Sequence, residues 1–157
     1  MTARTPATDL SGDAPADIAV RVPFRALLRT NLVATVLAAA ATETFAALVR
    51  ASGVPLAVGN PGGSASDVVP VTLGACAIAL AMVMVVGIGI AALINRRASR
   101  PARTYRIVTS VLVLLSLVPP LTAAETSTGT KVTLVAAHLI AAAIIVPLVS
   151  RRLSPTR

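Results

Sequence analysis

The chain predicts an all-α integral membrane fold, an antiparallel four-helix transmembrane bundle, and three observations predict it. Four long segments are almost free of charge: Thr30–Val49, Val68–Asn95, Ile107–Ala124 and Val132–Ser150, of 20, 28, 18 and 19 residues. Arginines crowd the ends of the chain and the gap between the second and third segments, while the other two gaps hold one basic residue each. Hydrophobic residues make up 55% of the chain and charged ones 13%, with a mean hydropathy of +0.84, which is far from the balance of a soluble domain. A helix rises ~1.5 Å per residue and a bilayer core is ~30 Å thick, so roughly 20 apolar residues cross it.

Four such spans occupy more than half of the 157 residues, which leaves no room for a second soluble domain. The chain divides into a tail at 1–24, a membrane domain at 25–152 and a short tail at 153–157, with spans at 30–50, 68–95, 105–124 and 131–150. The first tail is rich in Ala, Thr, Asp and Pro and lacks the apolar density to fold. Arg21, Arg25 and Arg29 before Leu32–Ala40 imitate a signal sequence, with Ala39-Ala40-Ala41 as a cleavage site. The apolar run continues through Val49, however, so an uncleaved span is expected.

The first helix should stop near Ser52, because Gly53 suits a left-handed C′ position and Pro55 prevents continuation. Leu56–Ser66, with Gly59-Asn60-Pro61-Gly62-Gly63-Ser64, reads as a flexible external loop. It has no Gly-Lys-Ser/Thr, so it is no phosphate-binding loop. Asp67 is placed to cap the second helix, whose 28 residues exceed the bilayer and imply tilt or protrusion. Short gaps make the second and third helices antiparallel neighbours, and likewise the third and fourth. Small residues along the second span, including Gly74, Ala75, Ala79, Gly87, Gly89 and Ala91, offer close helix contacts. Asn31, Thr35 and Thr42 form a thin polar stripe on the first span and read as helix glue facing the bundle.

Twelve of the fourteen basic residues fall on one side of this topology, leaving Arg50 and Lys131 on the other. The positive-inside rule then makes both termini cytoplasmic and the protein a multi-pass plasma-membrane protein. This distribution accounts for the net charge of +8 without a nucleic-acid partner. Arg96, Arg97, Arg100, Arg103 and Arg106 are positioned to rest on anionic lipid headgroups, at ~1 kcal/mol per basic residue. Aromatics are almost absent (Phe24, Phe45 and Tyr105, with no Trp), so arginines do the anchoring. Cys76 is the single cysteine and excludes an intrachain disulfide.

One polar layer stands out. Glu43 and His138 each lie six residues below the outer end of their segments, ~9 Å deep by helical rise. Pro119 and Pro120 lie near that level on the third span and invite a kink, which frees the carbonyls of Leu115 and Ser116. Ionisable groups in a membrane normally face the interior and find a partner. A Glu43–His138 bond, with Ser116 nearby, is the candidate intramembrane site. Metal binding is poorly supported by one His, one Cys and one intramembrane carboxylate, and no cofactor motif is present. A Ser116–His138–Glu43 triad can be drawn, but spans of this composition produce such sets by accident.

From Arg25 to Arg152 the chain resembles a family of small four-span actinobacterial membrane proteins, a domain of unknown function. The residues that carry the resemblance are Gly53-Val54-Pro55, the basic second gap leading to Tyr105, Ser116-Leu117 with Pro120, and His138-Leu139. Members often carry Trp where Tyr105 stands, which implies a weaker interfacial anchor here. The resemblance implies the architecture and no catalytic residues. The expected function is a non-enzymatic membrane partner or scaffold, in contact with the lipid bilayer and with its own copies or a membrane protein through the second span. The alternative is a small proton-coupled transporter or channel that uses Glu43 and His138.

Overall fold

The computed structural model describes residues 21–154, so most of the tail expected at 1–24, and residues 155–157, lie outside it. Five helices follow one another: α1 (Phe24–Ala51), α2 (Ala75–Arg97), α3 (Pro101–Ser116), α4 (Val118–Thr122) and α5 (Thr128–Arg152). Between α1 and α2 lies a two-residue antiparallel ladder of β1 (Ala57–Val58) and β2 (Val69–Pro70). With α3 and α4 counted as one interrupted span, four helices are long and apolar enough to cross a membrane. The fold is the all-α bundle expected from the four long charge-free segments.

Helix α1 begins six residues before the charge-free run. Its first turn is closed by the Pro23 carbonyl, which accepts from the N–H groups of Ala26 and Leu27. One face is buried: Leu27, Asn31, Ala34, Thr35, Ala38, Thr42 and Ala46. The expected polar stripe therefore does face the bundle, but its bonds stay within the helix. Asn31 donates to the Leu27 carbonyl at 2.9 Å and Thr42 to the Ala38 carbonyl at 2.9 Å. These residues serve the packing by being small and self-satisfied.

Helix α5 opposes that face with a buried row of its own, Thr130, Thr133, Ala137 and Ala141. The α1–α5 contact is the most extensive in the molecule, followed by α1–α2 and α3–α5. Without a hydrophobic drive in lipid, two small-residue faces hold helices together through close backbone approach. Small-residue packing is therefore centred on α1 and α5, with α2 packed against α1 as well. The helices stand in the order α2, α1, α5, α3. Although α2 and α3 are joined by a short gap, they touch little, which corrects their expected pairing.

The large side chains gather at the arginine-rich end. Leu27, Ile94, Tyr105, Val149 and Leu153 form the core there with Ala34 and Ala91, and Val22 packs against it. Asn95 ties the entry to α1, because its amide donates to the Val22 carbonyl at 2.9 Å and Arg21 donates to the Asn95 carbonyl at 2.7 Å.

The opposite end is held by loops. Gly59 N–H donates to Thr126 at 2.9 Å, Ala124 N–H to the Asn60 carbonyl at 3.3 Å, and Thr130 to the Pro55 carbonyl at 2.9 Å. The loop read as flexible is therefore bonded to the connection before α5. A Cβ at Gly59 would overlap the Ala124 carbonyl oxygen, so only glycine permits this approach. Gly53 takes the expected left-handed conformation, φ 88°, just past α1.

The two prolines end α3 outright. Pro119 and Pro120 have no N–H to offer the carbonyls of Leu115 and Ser116, and the chain restarts as the short α4.

Candidate functional site: a polar clamp at the start of α2

Helix α2 starts seven residues later than the charge-free run. Val69 and Pro70 belong to β2, Val71 N–H bonds to the Leu56 carbonyl at 2.8 Å, and Gly74 at φ 88° turns the chain into the helix. The charge-free run thus divides into an irregular entry and a helix that continues past it to Arg97.

This start lacks a cap of its own, because Gly74 has no side chain to offer. The expected cap, Asp67, is used elsewhere. It closes a capping box with Ser64 around the 3-10 turn Ala65–Asp67, accepting from the Ser64 N–H at 2.8 Å and hydroxyl at 2.9 Å. Those two bonds hold the Asp67 carboxyl below its ordinary value.

Helix α1 supplies the missing cap. Glu43 Oε1 accepts from the N–H of Ala77, the third residue of α2, at 3.1 Å. A helix leaves its first N–H groups without partners, and a carboxylate there also meets the positive end of the helix dipole. Seven residues on, Arg50 donates from Nε to the Val71 carbonyl at 3.3 Å and from Nη2 to the Thr72 carbonyl at 3.2 Å. One acid and one base on α1 therefore clamp the entry of α2 from its two sides. Glu43 lies ~12 Å from the C-terminal end of α1 by helical rise, so this backbone needs internal partners. Cys76, half-buried and free, is the second residue of α2, directly before Ala77.

The expected Glu43–His138 pair is not formed. No hydrogen bond or ion pair joins them among the described residues, and His138 Nδ1 lies 2.7 Å from the Leu134 carbonyl of its own helix. A carbonyl only accepts, so Nδ1 carries the proton. Ser116 donates to the Val113 carbonyl at 2.7 Å and joins neither residue. Pro120 is buried and Pro119 exposed, and neither takes part in the clamp. Glu43 Oε2 is buried and has no partner. No group of three His, Cys, Asp or Glu side chains is arranged to hold a metal among the described residues. Arg96, Arg97, Arg100, Arg103 and Arg106 are all exposed at the far end.

Sequence reasoning singled out Glu43 but missed its partner, and it gave Arg50 no role. The one signal in the sequence was Gly74 inside the charge-free run, a residue that suits a turn and has no side chain to cap a helix.

A family model described as a family of unknown function, DUF6069, matches residues 22–155. The chain belongs to that family. The match begins where the described chain meets Asn95 and runs through all four spans. Neither the curated proteins nor the solved structures yield a match.

Proposed function

We propose that this chain is a non-enzymatic protein of the cell membrane, with both termini cytoplasmic, that acts as a partner or scaffold through the outward face of α2. The supporting observation is the bareness of that helix. Ile78, Met82, Val83, Val85 and Val86 are exposed, and a Cβ added at Gly87 or Gly89 meets nothing within 4 Å. Glycine inside a helix costs ~1 kcal/mol relative to alanine, and nothing within the chain offsets that cost here. Close approach by a helix from another molecule does offset it. Ala91, one turn after Gly87, is already taken by the chain's own core.

A second copy of the chain is the first partner to test. With Cys76 changed to serine, a single cysteine at Gly89 is expected to crosslink between copies in membranes, and Gly89→Leu to lower energy transfer between labelled copies. Absence of both effects removes self-association through α2.

A second reading, a small proton-coupled transporter or channel, is supported by the unpartnered Glu43 Oε2. It requires pH-dependent flux in liposomes that disappears in Glu43→Gln. The exposed arginines from Arg96 to Arg106 complete the proposal as diffuse contacts with anionic lipid headgroups.

A further inference from the structure

At the arginine-rich end, outside the core, a cleft of about 400 Å³ opens between the start of α1 and the end of α5. It is lined by Pro23, Arg25, Ala26, Arg29, Thr30 and Arg152. Three exposed arginines from two helices thus line one open cleft with no carboxylate among its walls. Among the described residues, none of the three makes a hydrogen bond or ion pair. All three described carboxylates, Glu43, Asp67 and Glu125, belong to the other half of the molecule, while Asp9, Asp13 and Asp17 lie outside the described residues.

Three positive side chains around one cleft, with no described carboxylate beside them, make a local positive field that favours an anion. Arginine's planar fork matches a phosphate with paired hydrogen bonds, and several forks from different directions suit a tetrahedral group. What distinguishes a lipid from a free anion is the surface next to the cleft. Arg25 and Arg29 continue along α1, at helical spacing, into Leu32, Val33 and Val36, which are 45%, 57% and 59% exposed. A charged mouth thus leads onto an open apolar track. We propose that this cleft is a binding site for one anionic phospholipid, with its phosphate among Arg25, Arg29 and Arg152 and an acyl chain along Leu32, Val33 and Val36. This site is separate from the diffuse contacts of Arg96 to Arg106, because those side chains do not line it.

The test uses the full chain, purified in mild detergent and offered phosphatidylglycerol or phosphatidylcholine, with bound lipid counted by native mass spectrometry. One phosphatidylglycerol per chain is expected to persist in preference to phosphatidylcholine. Each Arg→Gln change at 25, 29 or 152 should weaken it by about fivefold, and the triple change should abolish the bound species. A triple Arg→Lys variant keeps the charge, loses the fork and is expected to lie between these limits. Equal charge removal at Arg96, Arg97 and Arg103 is the control and should leave the bound species in place. Helical circular dichroism confirms that each variant folds, and the lysine variant carries the test if the glutamine variant does not. Equal losses in the cleft and control variants, or no loss in either, overturn the site. Inorganic phosphate binding as tightly as the lipid and displacing it assigns the cleft to a free anion and overturns the lipid reading.

Discussion

The two ends of this bundle are held by different physics. At the arginine-rich end Leu27, Tyr105, Val149 and Leu153 are 0%, 2%, 0% and 2% exposed and interlock as in a soluble core. At the other end the described residues form no such cluster, and the chain relies on hydrogen bonds: Glu43 and Arg50 on the entry of α2, Gly59 on Thr126, and Thr130 on Pro55. The difference teaches that small-residue helices approach closely but leave little to interlock at their ends. Irregular backbone must then be satisfied bond by bond.

The comparison breaks most directly at Tyr105. Tyr105→Ala should cost ~3–5 kcal/mol, as for other buried aromatics, read as a loss of resistance to denaturing detergent. A cost under ~1 kcal/mol would mean that the arginine-rich end is not the stable one.

At the opposite end, Glu43→Ala leaves the Ala77 N–H without its partner and should cost about 2 kcal/mol. Glu43→Gln keeps an acceptor oxygen and should recover most of that stability. Hydrogen exchange at Ala77 separates the cases, since exchange should speed up in the alanine variant and change little in the glutamine one. Fast exchange in both would show that charge, rather than the bond, holds α2.

Gly59→Ala sharpens the same contrast. Its Cβ must displace the Ala124 carbonyl, at a cost of ~1–3 kcal/mol, with faster exchange confined to the loops. Loosening that reaches Tyr105 would show that the two ends are one cooperative unit.

The smallest effect lies in the turn at Asp67. Its carboxyl is held below 3.8, so the turn's contribution is fully present above that value and is lost as pH falls through the lower folded one. Titration of the Ser64 amide by NMR should show a midpoint below 3.8. A midpoint at or above it means that the capping box does not form.

Much of this was legible along the chain. The spans follow from uncharged length, the end of α1 from Gly53 and Pro55, and the break in the third span from Pro119 and Pro120. The inward face of Asn31, Thr35 and Thr42 follows from their spacing. The start of α2 was not legible, because Val68–Gly74 is as free of charge as the helix after it and absence of charge does not separate strand from helix there. The expected Glu43–His138 bond failed for a related reason: equal depth on two helices says nothing about rotation around either. His138 had a carbonyl in its own helix, and Glu43 had an uncapped helix start nearer to hand.

By itself, the order of residues determined how many times this chain can cross a membrane, where α1 stops and which end carries the positive charge. Each of these depends on hydrophobicity, backbone chemistry and charge counted along one dimension. The three-dimensional fold alone decided that small faces meet between α1 and α5, that one face of α2 stays bare, and that Glu43 caps a helix 34 residues away. Such partners are selected by the competition of unsatisfied backbone groups for the nearest polar atom, and nearness between distant segments exists only once the helices are assembled.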